Sequence, residues 1–171
     1  MTGIARRLAY GVVGLTALVV SAVQPALAGP AKGTSFGDWI IDCQSDAPER
    51  CFASQTLVQG DKENPVMRVN AGPLGTKGEP FLIVMLPLGF FLPAGVVARI
   101  DEGASSPLSV QRCVATGCVA SIPLSGELLK SLGGGQRLQI GYMPQPDGRT
   151  LVVPVSLKGF KAAYGAVAAA R

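Results

Sequence analysis

Four cysteines are the side chains best placed by type and spacing to do chemistry together: Cys43, Cys51, Cys113 and Cys118. Their spacings are C-x7-C and C-x4-C. A zinc knuckle would need tighter pairs and usually a histidine, and the chain has no histidine. Thiol redox catalysis would need C-x-x-C, which is absent. Structural disulfides remain, since an even cysteine count suits a chain that folds in an oxidising compartment. Four cysteines allow three connectivities. The local one, Cys43–Cys51 with Cys113–Cys118, is preferred. Thr116-Gly117 is a turn signal between two strand-like runs and would face Cys113 and Cys118 across a hairpin. Loops this short contribute roughly 2–3 kcal/mol each in the chain-entropy account.

Other chemistry is hard to assemble. Without histidine there is no ordinary general base at neutral pH, and neither a Ser-His-Asp nor a Cys-His arrangement can be built. Asp101 and Glu102 are adjacent, so in a strand they point to opposite faces and make a poor acid–base pair. Asp38 and Asp42 share a face with Ile40 and read as solvated strand ends or turn bonds rather than metal ligands. Gly133-Gly134-Gly135 reads as a helix stop, because no Lys-Ser/Thr pair follows to make a phosphate loop. The expectation is no catalytic residue, no metal and no cofactor. Any site would be apolar: Phe90, Phe91 and Leu92 lie in a corner bounded by Pro87 and Gly95. That corner either folds over a sheet end or is held out as a patch for a partner or a lipid.

The elements that would position these residues are mostly strands. Residues 1–28 read as a signal peptide: Arg6 and Arg7, an uncharged apolar run from Leu8 to Val23, then Ala26-Leu27-Ala28 as the cleavage site. Residues 29–171 form the expected single domain, with no later transmembrane span. Its most apolar part is Phe81 to Asp101, broken by Pro87, Gly89, Pro93 and Gly95. Leu82 to Leu86 is expected as a strand buried on both faces, because no polar residue alternates in it. Val96 to Asp101 alternates, with Val96, Ala98 and Ile100 inward.

Further strands are expected over Phe36–Cys43, Arg50–Val58 (with Phe52 and Val58 on one face), Val66–Val69, Leu108–Cys113, Cys118–Ile122, Arg137–Met143 and Thr150–Leu157. The stretches 71–79 and 102–107 read as loop and turn. In the last strand Leu151, Val153, Val155 and Leu157 are expected to face the core, and Pro154, lacking an amide donor, marks an edge or a bulge. Ser125 can cap a short helix from Gly126 to Leu132. Phe160, Ala163, Tyr164 and Val167 are spaced as one face of a C-terminal helix. The fold class is therefore all-β: a β-sandwich or partly closed barrel of about eight to ten short antiparallel strands with two short helices, disulfide-stabilised.

The formal charge of +4 includes Arg6 and Arg7, so the mature chain carries about +2. No basic run is interleaved with aromatics, which argues against nucleic acid. Weak attraction to an anionic membrane surface, as peripheral association, is compatible with this charge.

An ordered set of short motifs spans the mature chain: F-x-x-W at Phe36 and Trp39, the Cys43–Cys51 spacing, L-P-L-G at Leu86–Gly89, L-P-A-G-V at Leu92–Val96, Ile100-Asp101, the Cys113–Cys118 spacing, and S-L-x-G-F at Ser156–Phe160. In that order the set resembles the invasion-associated locus B family of exported bacterial proteins. The resemblance implies a secreted or envelope-associated β-sandwich, in the periplasm, on the outer membrane or outside the cell. It carries the four cysteines over as structural disulfides and supplies no catalytic residue. In pathogenic members the family is linked to invasion of host cells, notably erythrocytes. The implied function is a non-enzymatic protein acting by contact with an envelope or host-surface partner. The alternative is a periplasmic module for a small apolar ligand or lipid held between the sheets.

Overall fold

The computed structural model describes residues 30–44, 51–58 and 65–170, so the expected signal peptide lies outside the described residues. Ten strands run in the spatial order β1-β2-β3-β4-β5-β8-β7-β6-β9-β10, all neighbours antiparallel. They are β1 (Ser35–Phe36), β2 (Trp39–Cys43), β3 (Cys51–Val58), β4 (Pro65–Gly72), β5 (Phe81–Leu86), β6 (Val96–Ile100), β7 (Ser105–Val114), β8 (Gly117–Pro123), β9 (Arg137–Tyr142) and β10 (Leu151–Ser156). Helix α1 (Gly126–Gly134) follows β8, and helix α2 (Phe160–Ala168) ends the chain. This is an open, sandwich-like sheet fold whose two ends, β1 and β10, share no ladder.

The long strand β7 belongs to both layers. Its first half, Ser105–Leu108, pairs with β6, and its second half pairs with β8 from Ser109 onward. Two prolines explain the split. The Leu124 amide bonds to the Pro80 carbonyl on the β5 side. By antiparallel alternation the backbone of Ser121 then faces β7, and so does that of Pro123. Ser121 is paired with Ser109, so the next hydrogen-bonded pair would be Pro123 with Pro107. Neither has an N–H, so the ladder stops and β7 is free to turn to β6.

Proline also marks the far edge. The Leu157 amide bonds to the Gln136 carbonyl beside β9, so Ser156 faces away from β9, and Pro154 two residues earlier faces away with it. Its missing donor breaks no ladder bond, in keeping with β10 as an edge strand.

The open ends are joined by side chains instead. Gln55 on β3 is buried and acts as a surrogate strand: its Oε1 accepts from the Ser156 amide at 3.1 Å, and its Nε2 donates to the Ser156 carbonyl at 3.1 Å and the Asp38 carbonyl at 3.0 Å. Trp39 Nε1 donates to the same Ser156 carbonyl at 2.8 Å. The Ser156 hydroxyl donates to Asp38 at 2.6 Å, and the Asp38 amide bonds to the Lys158 carbonyl. Chain packing here is tight. A Cβ on Gly159 would lie 1.9 Å from the Phe36 carbonyl oxygen, and one on Gly37 would lie 2.6 Å from that of Lys158; both residues have positive φ.

Helix α2 lies across β1 to β4 and closes the core over this seam. The expected apolar face is the buried one: Phe160, Ala163 and Val167 are buried and Tyr164 half-buried. Phe160 meets Trp39 edge-on at 5.1 Å and stacks on Tyr164 at 5.9 Å. Ser125 caps α1 by accepting from the Leu128 amide.

Several boundaries differ from expectation. The first strand is two, because Gly37 at φ 58° and Asp38 turn the chain between Phe36 and Trp39. Strand β4 runs on to Gly72, because the hydrogen-bonded partners Ala53 and Phe81 continue its ladders. Strand β7 takes in Ser105–Pro107, which pair with β6 rather than turn. Helix α1 continues through Gly133 and Gly134 and stops at Gly135, which packs against Ile100 and Asp101.

Strand β5 is buried on one face only: Leu82, Val84 and Leu86 are core, Phe81 and Ile83 are half-buried, and Met85 is exposed, since no layer covers the outer face. Phe52 and Val58 share the outer face of β3, as their even spacing requires; Phe52 is buried there, while Val58 is exposed at the strand end, where a register shift leaves Val66 of β4 unpaired. In β10, Val155 and Leu157 are core and Val153 half-buried, while Leu151 is exposed at the strand's free start.

Candidate functional site

The cysteines are joined locally. Cys43–Cys51 links the ends of β2 and β3, and Cys113–Cys118 clamps the tip of the β7–β8 hairpin. Both pairs stand directly opposite each other in their ladders, so each bond fixes a strand end. No thiol is free among the described residues.

The acidic residues hold the fold together. The Asp42 carboxylate, on the outer sheet face, pairs with Arg68 and with Lys32 at 3.3 Å. Burial raises its pKa, but the Cys43 amide, Arg68 and Lys32 outweigh that and hold it below the ordinary carboxylate range. Arg68 also donates to Ser54 at 3.0 Å, and Ser54 donates to Asn70 at 2.8 Å, which satisfies two buried polar side chains. Asp101 is not a strand residue. At φ 48° it turns the chain, and its carboxylate accepts from the Gln136 and Arg137 amides at 3.1 and 2.9 Å. Glu102 is exposed beside it. Among the described residues no three His, Cys, Asp or Glu side chains gather as a metal site.

The corner between β5 and β6 divides the three expected patch residues. Phe90 turns inward and meets Tyr142 edge-on at 5.7 Å. Burial pushes the Tyr142 phenol up. Phe91 is half-buried and its amide bonds to the Met143 carbonyl at 2.7 Å. Leu92 is 51% exposed and opens a single 3-10 turn, Leu92–Ala94. Leu88, which the sequence reading did not single out, is 53% exposed. Its signal was the flanking Pro87 and Gly89: Gly89 at φ 90° turns the chain outward into open space. No charged residue occurs from Pro80 to Ala98. Val114, Leu151 and Val152 are also exposed on strand ends beside this corner: Val114 at the hairpin tip that abuts Leu86, and Leu151 opposite Tyr142.

At the other end of β6 lies a half-open cleft of ≈ 820 Å³. It sits where β7 leaves β8, under α1. Leu82, Ala98, Ile122 and Leu138 line its floor, and Glu127 and Lys130 of α1 line its mouth.

Comparison with known proteins resolves the kinship. Residues 39–168 match the model of the family described as Invasion associated locus B (IalB) protein. The chain belongs to the invasion associated locus B family. Invasion protein B homologs from two strains of Brucella abortus are each 24% identical to it over 165 residues, covering 95% of this chain and 94% of theirs. The crystal structure of invasion associated protein b from Bartonella henselae is similar in fold, with a TM-score of 0.68 and 24% identity, covering 80% of this chain and 95% of that one. The family match takes in β2 through α2, and with them the Ser156 seam, both disulfides, the apolar corner and the cleft.

Proposed function

We propose that this member of the family is an exported, non-catalytic envelope protein that works by surface contact, and that the 87–95 corner is its contact face. One observation carries the reading: two leucines, Leu88 and Leu92, stand more than half exposed on a loop without charge. Loops normally present polar residues to water, and a grouped apolar exception marks an interaction site. Phe90 anchors the loop from beneath, so the leucines are held out on a fixed base. The paired cysteines support export, because such bonds persist in oxidising compartments. The chain's role, by its likeness to proteins named for invasion, is contact with a host or envelope surface.

The test is Leu88→Asp with Leu92→Asp. Both side chains point to water, so the urea midpoint is expected to move little. Retention of the protein in the envelope fraction is expected to fall by about tenfold or more, since two exposed leucines contribute a few kcal/mol when covered. Unchanged retention of a folded double variant would remove the corner from the contact.

A further inference from the structure

The cleft beside α1 has no part in that contact, and its construction points to a ligand of its own. Its opening is built into the chain where Pro107 and Pro123 end the β7–β8 ladder, and Ser106 and Pro123 line it there. Its volume lies within the range of small-molecule sites, roughly 300–1,000 Å³. The floor is aliphatic. The mouth carries charges of both signs on adjacent turns of α1, Glu127 and Lys130. Within the described residues neither forms an ion pair or a side-chain hydrogen bond, although their spacing of three would allow one. The third charged group at the mouth, Asp101, is taken up by the Gln136 and Arg137 amides. An apolar body would rest on the floor, and a head bearing both charges would meet one free anion and one free cation.

We infer that the cleft binds a single-chain amphiphile with a zwitterionic head, its tail between β5–β8 and β6–β9, its anionic group at Lys130 and its cationic group at Glu127. The inference does not depend on the contact reading, because the corner and the cleft lie at opposite ends of β6.

Calorimetry on the delipidated mature protein tests it with three probes sharing one tail, each below its micellar concentration: dodecylphosphocholine, dodecanoate and dodecyltrimethylammonium. One dodecylphosphocholine is expected to bind per chain, about fivefold more tightly than either singly charged probe, the gain of one exposed ion pair. Lys130→Glu is expected to shift preference to dodecyltrimethylammonium, and Glu127→Lys to dodecanoate. Both side chains are on the exposed face of α1, so folding is not at stake. The Leu88→Asp, Leu92→Asp variant is expected to bind all three as the native chain does. No binding, equal affinity for the three heads, or preferences that ignore both charge swaps would overturn the inference. So would binding lost in the corner variant, which would place the tail at the corner instead.

Discussion

Replacing Gly159 by alanine is expected to cost at least about 3 kcal/mol, enough to unfold a large fraction of a marginal domain. Two terms add. At φ 88° an alanine adopts left-handed backbone at about 1–2 kcal/mol. Its Cβ would also fall 1.9 Å from the Phe36 carbonyl oxygen and 2.9 Å from the Gly37 nitrogen, both backbone atoms that cannot swing aside. The chain would have to part the β1–β2 turn from the start of α2. Gly89→Ala separates the terms: its φ is 90°, yet nothing lies within 4 Å of the added carbon, so only the backbone term applies. Urea titration followed by the fluorescence of the single, buried Trp39 reads both variants. Equal losses at the two positions would show that the close approach at Gly159 is not tight.

The second large effect is expected at Gln55. Leucine there is similar in size but leaves the Ser156 amide without its acceptor and removes two donated bonds, to the Ser156 and Asp38 carbonyls. Buried groups left unsatisfied cost about 1–3 kcal/mol each, so a loss of about 2–4 kcal/mol is expected, the Ser156 carbonyl keeping its bond from Trp39. Glutamate is not expected to rescue. It can still accept from Ser156, but it has no N–H for the two carbonyls and would set a carboxylate against them. Amide hydrogen exchange localises the damage: the Ser156 amide should exchange slowly in the native chain and at least tenfold faster in Gln55→Leu. A Gln55→Leu variant of native stability would mean that α2 and the remaining bonds of Trp39, Asp38 and Lys158 hold the sheet ends without the Gln55 amide.

These two residues show where reading the sequence stops. Gln55 sits in Cys-Phe-Ala-Ser-Gln-Thr-Leu-Val, where a lone glutamine looks like one outward polar position of a strand. Its partner is Ser156, on the opposite edge of the fold, and no local pattern encodes a pairing across such a distance. Gly159 reads as a helix boundary, and its φ agrees, but the carbonyl that forbids a side chain belongs to β1. By contrast, features set by local alternation were legible. Val96, Ala98 and Ile100 point inward as their period of two requires, and Phe160, Ala163 and Val167 as their period of 3.6 requires. Pro154 announced an edge strand through its missing donor.

The split of β7 lay between these cases. Pro107 and Pro123 are visible in the sequence, but only the register puts them opposite each other. The same holds for the candidate sites. The apolar corner was visible as a proline- and glycine-broken run, yet burial reverses the role of Phe90 and promotes Leu88. The cleft was not visible at all, because its floor comes from four strands and its mouth from a helix.

The contact face is open to one direct measurement. A photo-crosslinking residue placed at Leu88 or Leu92, and as a control at Lys161 on the exposed side of α2, is irradiated in intact cells that express the full chain. The contact reading predicts protein or lipid adducts from positions 88 and 92 and none from 161. Adducts in equal yield from all three positions, or none from 88 and 92, would contradict it.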